Sequence, residues 1–78
     1  MQILYIYDIK AGSERSFNRI KRRFYYNLGK LGIKKEAWKT KSAISVPLEH
    51  EWKMDQFFRS FSRHTVVYKV YAHSIELL

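Results

Sequence analysis

Residues 2–9 carry apolar side chains in both alternating phases, Ile3, Tyr5 and Tyr7 in one and Leu4 and Ile6 in the other, until Asp8 closes the second phase. β-Branched and aromatic residues in both phases predict a central strand covered on two sides. The following "KAGSERS" breaks the strand at Gly12 and Ser13 and offers Ser13 or Ser16 as a helix N-cap. Phe17, Ile20, Phe24, Leu28 and Leu31 then recur at spacings of three and four, which predicts one buried helix face, with Gly32 as its C-cap. Residues 36–47 read as extended, either one bent strand or two short ones broken near 39–42, with Ser42, Ile44 and Val46 on one face and Ala43 and Ser45 on the other. Pro47 ends that segment and is placed to open a helix. Met54, Phe57, Phe58 and Phe61 fall at i, i+3, i+4 and i+7 in this helix, which is expected to end near 63–64. "TVVYKVYAH" predicts a last strand, with Val66, Tyr68, Val70 and Ala72 on one face and Val67, Lys69, Tyr71 and His73 on the other. "SIELL" is a short extended tail.

This order predicts an α+β domain spanning 1–78, of the ferredoxin-like βαββαβ kind: an antiparallel sheet with two helices on one face. The opposite sheet face then needs an explanation. Tyr5, Tyr7, Ala43, Ser45, Val67, Lys69 and Tyr71 are expected there, a set too apolar for bare solvent. Such a face calls for a partner, either a second copy or stacked bases.

Composition sharpens this picture in two ways. With 78 residues the chain is near the lower size limit for a self-sufficient core, and five Phe, six Tyr and two Trp supply that core with large rings. Without cysteine it has neither disulfides nor thiolate metal sites. No apolar run reaches the length of a membrane span or fits a secretory signal, so a cytoplasmic protein without a membrane partner is expected. Fifteen Lys and Arg against seven Asp and Glu give a net charge of +8. A positive field of that size favours phosphate polymers, whereas a merely solvated thermophilic surface would balance Lys with Glu. Nucleic acid is therefore the expected partner.

Candidate chemistry is sparse. Asp8, at the C-terminal end of a central strand, is either a turn residue accepting backbone N–H bonds or a metal-binding or acid–base group. One carboxylate holds Mg²⁺ poorly, so the chemical reading needs two copies of Asp8 across a two-fold axis. The helix containing "NRIKRRFYYN" offers Arg15, Arg19, Arg22, Arg23 and Lys30 as nucleic-acid-binding residues, because Arg19, Arg22, Arg23 and Lys30 have no acid four residues on to neutralise them. Tyr25 and Tyr26 either stack on bases or pack at the helix edge. His50, His64 and His73 lack the spacing of a zinc site. Glu49 and Glu51 are read as negative charge at a helix N-terminus. Trp52 lies off the buried stripe, and its exposure would mark an interface. Ser42 and Ser45 have no neighbouring base for nucleophilic catalysis, and no Gly-rich phosphate loop is present.

With these elements placed, the chain resembles the Cas-two family of CRISPR-associated proteins. "YIYDI" closes the first strand where the family has a Tyr-Asp-Ile-like triplet, and the basic helix contains "NRI" and closes on "KLG" where the family has Tyr/Leu-Gly. "KSAISVP" lays Ser45 and Val46 on the Ser-Val of the family's Gln-x-Ser-Val-Phe-like segment, and "TVVYKVY" follows as the strand after the second helix. The resemblance spans nearly the whole chain. It implies a ferredoxin-like homodimer packed through its sheets, with Asp8 as the catalytic, metal-coordinating acid beside its symmetry mate. It further implies Mg²⁺ as cofactor and Arg19 and Ser45 in supporting positions. The activities implied are Mg²⁺-dependent endonuclease cleavage of RNA or DNA, or non-catalytic bridging of an integrase partner during CRISPR adaptation. Toxin-like relatives share the fold, and so does a stand-alone nucleic-acid-binding role. Ala43 stands where the family has Gln and Pro47 where it has an aromatic residue, the turn after Asp8 is long and the tail past Ala72 is short. These departures bear on cleavage more than on fold or pairing.

Overall fold

Strand β1 (Gln2–Ile9) is the middle of the molecule, as its two apolar phases require. In a computed structural model describing residues 1–78, it is followed by helix α1 (Glu14–Gly29), strands β2 (Trp38–Thr40) and β3 (Ala43–Pro47), helix α2 (Glu51–Ser60) and strand β4 (Thr65–Ala72). Single turns of 3₁₀ helix at Lys35–Ala37 and Leu48–His50 precede β2 and α2. The sheet is open and antiparallel throughout, in the order β2-β3-β1-β4. Of residues 36–47, expected to be extended, Glu36 and Ala37 lie in the first 3₁₀ turn, and the rest resolve as two strands with the break at Lys41 and Ser42.

Local chemistry explains most of the boundaries. Ser13 is extended (φ −150°, ψ 162°), and its Oγ accepts the Ser16 backbone N–H at 3.1 Å, satisfying one of the donors exposed at the start of α1. The C-terminus differs from expectation. The helix closes at Lys30, whose N–H reaches the Asn27 and Leu28 carbonyls, and Gly32 lies two residues further on. There it takes φ +71°, a left-handed conformation open to glycine without strain. Pro47 ends β3, but α2 starts only after the 3₁₀ turn, and it ends at Ser60 rather than at 63–64. Residues 61–64 form a turn whose His64 carbonyl accepts the Lys10 N–H at 2.7 Å.

Both helices bury one apolar face against a single side of the sheet. Phe24 and Leu28 of α1 and Met54, Phe57 and Phe58 of α2 join Ile3, Tyr5, Tyr7, Ile44 and Val46 in one cluster. Phe24 is fully buried, with ring centres of Tyr7, Tyr25, Phe57 and Phe61 at 5.0–5.4 Å. The small core is thus built of rings, whose burial gives the most apolar area per residue.

The structure corrects the expected assignment of the two sheet faces. Register pairs Tyr5 with Ile44 and Lys69, and Ile3 with Val46 and Tyr71, so these residues share one face, together with Tyr7 and Val67. That face lies under the helices: Tyr5 is 1% exposed and Tyr7 4%. Of the residues expected on the open face, only Ala43 and Ser45 are there, alongside Leu4, Ile6, Asp8, Val66, Tyr68 and Val70. Bases cannot stack on Tyr5 or Tyr7. The open face is nonetheless apolar, with Ile6, Val66, Tyr68 and Val70 all exposed. No helix is long and apolar enough to cross a membrane.

Candidate functional site

Helix α1 presents its cations in a line. Arg15, Arg19, Arg22, Tyr26 and Lys30 follow at steps of four, three, four and four residues, which keeps them on one face at 3.6 residues per turn. That face is opposite the one burying Ile20, Phe24 and Leu28, so the stripe points straight out from the helix layer. Its fifteen-residue rise is about 22 Å. Arg15, Arg19 and Arg22 border one open groove together with Asn18. Lys30 sits over the ring of exposed Tyr26, 4.4 Å from its centre, which fixes an otherwise flexible ammonium. Arg23 lies off the stripe on the α2 side, its guanidinium 5.9 Å from the Phe61 ring centre. Tyr25 packs at the helix edge, hydrogen-bonded to the Lys41 carbonyl and to the Tyr7 hydroxyl.

None of these cations meets a carboxylate. Of the fifteen Lys and Arg, only Lys10 and Lys69 form ion pairs. The fold thus leaves the α1 stripe with its full charge facing solvent, where phosphates can take it up.

Asp8 is elsewhere. It is exposed on the open sheet face, on the layer opposite the helices, and its Oδ2 pairs with the Lys10 ammonium at 3.0 Å rather than accepting backbone N–H bonds. Ser45 lies beside Leu4, four residues along β1 from Asp8, or about 13 Å at strand rise. Its buried Oγ donates to Gln2 Oε1 at 3.1 Å. Asp8, Ser45 and the arginine stripe are therefore three separate places in one protomer. No group of three His, Cys, Asp or Glu side chains is positioned to hold a metal. A lone carboxylate already paired with an ammonium does not fit Mg²⁺, which requires several oxygens in octahedral array.

The most strongly coupled polar cluster lies apart from the candidates that the sequence singles out. Lys69 on β4 donates to Glu51 Oε2 at 2.7 Å and to Asp55 Oδ2 at 2.9 Å, while Tyr5 donates to Asp55 Oδ1 at 2.8 Å and Tyr71 to the Glu51 carboxylate. Glu51 is thus engaged with β4 and is more than a helix-terminal charge. Burial alone would raise the Asp55 carboxyl, but the Lys69 and Tyr5 hydrogen bonds outweigh it and hold it below the usual aspartate range. The Lys69 hydrogen bond, and then that of Tyr71, lower Glu51. Hydrogen bonds to Glu51 and Asp55 push Lys69 up, and burial followed by the Asp55 hydrogen bond pushes the Tyr5 phenol up. Every member is occupied by another, so the cluster ties α2 to the edge strand and leaves no free acid or base. Its only signal in the sequence is a pair of acids four residues apart beside an apolar helix stripe.

A pH dependence follows from these directions. Depressed carboxyls contribute stability above the ordinary carboxylate range and lose it as pH falls through their lowered folded values; the raised Lys69 and Tyr5 groups contribute below pH ~10 and lose it above. Lys69→Met is expected to lower the urea midpoint at neutral pH, with the gap from wild type closing as pH falls below the ordinary carboxylate range and through the lowered values of Asp55 and Glu51. Urea titrations of both proteins at pH 7 and in acid check this; a gap of constant size across pH would show that the ammonium acts by packing alone.

Compared with protein-family models, with curated proteins and with solved structures, the chain matches none of them.

Proposed function

We propose that this protein is a nucleic-acid-binding protein with a ferredoxin-like fold that works as a homodimer paired through its open sheet face. The observation that carries the reading is the α1 stripe of Arg15, Arg19, Arg22 and Lys30, in which no side chain is neutralised by the fold. Arginine guanidinium groups suit phosphate oxygens, and a line of cations about 22 Å long, three arginines and then Lys30, follows a backbone rather than a single anion. Pairing through the sheet is supported by the row of exposed Ile6, Val66, Tyr68 and Val70, which monomeric proteins rarely leave open to water. In this arrangement the two basic helices lie on the outer surfaces of the dimer, suited to a non-catalytic scaffold such as the CRISPR-associated proteins that bridge an integrase.

The test is binding of labelled RNA and DNA oligonucleotides by fluorescence anisotropy across a salt series. Wild type is expected to bind with an affinity that falls steeply with salt. Arg15→Gln/Arg19→Gln/Arg22→Gln is expected to weaken binding and to make the log–log salt slope shallower by about one for each phosphate no longer neutralised. Absence of binding at low salt, or a slope unchanged in the triple variant, would exclude the reading.

A second reading, Mg²⁺-dependent phosphodiester cleavage, is favoured by one observation: Asp8 stands exposed at the end of the apolar face through which the dimer would pair. It requires two Asp8 carboxylates brought together by that pairing, since one protomer does not supply an ion site.

A further inference from the structure

Trp52 is 75% exposed, in a protein that buries or half-buries most of its other rings. It lies in the first turn of α2 and borders an open groove of about 530 Å³ between α1 and α2 on the outer side of the helix layer. The polar side chains of this groove are Arg23, Asn27 and Lys30 from α1 and Lys53, Gln56 and Ser60 from α2. It contains no acid. Helix geometry is the cause: Glu51 and Asp55 project from the flank of α2 that faces β4, where Lys69 holds them, and so the opposite flank is left purely basic and amide-bearing.

The cations of the groove are held in place. Arg23 sits over Phe61, Lys30 sits over Tyr26, and Lys53 Nζ donates to the Leu31 carbonyl at 2.9 Å. Lys30 also ends the outer stripe of α1, so a phosphate backbone following that stripe enters the groove at its end. Positive charge in the groove selects an anionic occupant. The exposed indole selects one that carries planar rings. A duplex presents only base edges along its grooves, whereas unpaired bases offer their faces to aromatic side chains.

Resting on the nucleic-acid reading above, we infer that the α1–α2 groove is a single-strand site, in which Trp52 stacks on an unpaired base while Arg23, Lys30 and Lys53 hold the flanking phosphates. Gln56 supplies an amide donor and acceptor at the edge of the stacked base, whereas the Asn27 Nδ2 donates to the Arg23 carbonyl at 2.8 Å. Stacking is blind to the sugar, so RNA and DNA single strands both fit.

The experiment compares wild type, Trp52→Ala and Trp52→Phe on single-stranded RNA and DNA and on the matching duplexes, at one fixed salt concentration. Circular dichroism checks that each variant is folded, which the exposure of Trp52 favours. Trp52→Ala is expected to weaken single-strand binding by about 5- to 150-fold, the range found for loss of one stacked base. Trp52→Phe is expected to recover a substantial part, and duplex affinity is expected to change less than about twofold, as for a surface change outside the contact. Wild-type binding to single strands that is unaltered in Trp52→Ala overturns the groove assignment and leaves the α1 stripe standing. Equal losses for single strand and duplex overturn it as well. Failure of wild type to bind any of the four probes removes the nucleic-acid reading and the groove with it.

Discussion

Phe24→Ala is expected to lower the urea midpoint of unfolding by the equivalent of about 3–5 kcal/mol, the largest loss expected of any single side chain here. The ring is fully buried and packs against Tyr7 on β1, against Phe57 and Phe58 on α2, and against Phe61 just beyond it. It thus joins three elements that are otherwise distant in sequence. Removing a buried phenyl costs about 3–5 kcal/mol through the forfeited transfer energy and the cavity left behind. A chain of this size has about 4–12 kcal/mol in total, at roughly 0.05–0.15 kcal/mol per residue. The loss is of the same order as the whole. Phe24→Leu, which refills most of the space, is expected to cost about 1 kcal/mol and to keep a sharp transition. Far-UV circular dichroism under urea distinguishes the two. A loss for Phe24→Ala no larger than the roughly 1 kcal/mol of Phe24→Leu would mean that the aromatic cluster is not the centre of cooperativity.

Phe24 also marks what the sequence makes legible. The spacings of Phe17 to Leu31 and of Met54 to Phe61 place both helices and their buried faces, because a 3.6-residue period has one solution. β1 has no such uniqueness: both phases are apolar, so periodicity cannot say which side the helices cover. The deciding facts are long-range. The Tyr5 hydroxyl finds Asp55, and that of Tyr7 finds the Lys41 carbonyl and Tyr25, so both tyrosines can be buried with their polar tips satisfied. Lys69 and Tyr71 look solvent-facing in a one-dimensional pattern, yet they lie on the helix side because Glu51 and Asp55 meet them there. The basic stripe of α1 is legible residue by residue, since exposure of a charge follows from helix phase. The acid-free groove is not, because it depends on which flank of α2 turns toward α1.

Replacing Val70 with Glu is expected to convert a dimer to monomers without unfolding the chain. Val70 pairs with Leu4 across the open face and is 42% exposed in the single protomer, so a carboxylate there is solvated and nearly neutral for folding. In a two-fold pairing the same patch meets its own copy, and the substitution enters the interface twice. Two unpaired carboxylates enclosed among Ile6, Val66 and Tyr68 lose their hydration with nothing to replace it. Light scattering on eluted protein is expected to give twice the 9.5 kDa chain mass for wild type and a single chain mass for Val70→Glu. Wild type running as a single chain at high micromolar concentration would end the dimer reading. The same variant also decides the catalytic one, because only a dimer can bring two Asp8 carboxylates to one ion. Cleavage that needs Mg²⁺, stops with EDTA and is lost in both Asp8→Asn and Val70→Glu locates the chemistry at a paired Asp8. Cleavage that survives in monomeric Val70→Glu cannot come from a shared site, and tight salt-sensitive binding without cleavage in wild type leaves the basic helices as the functional part of the molecule.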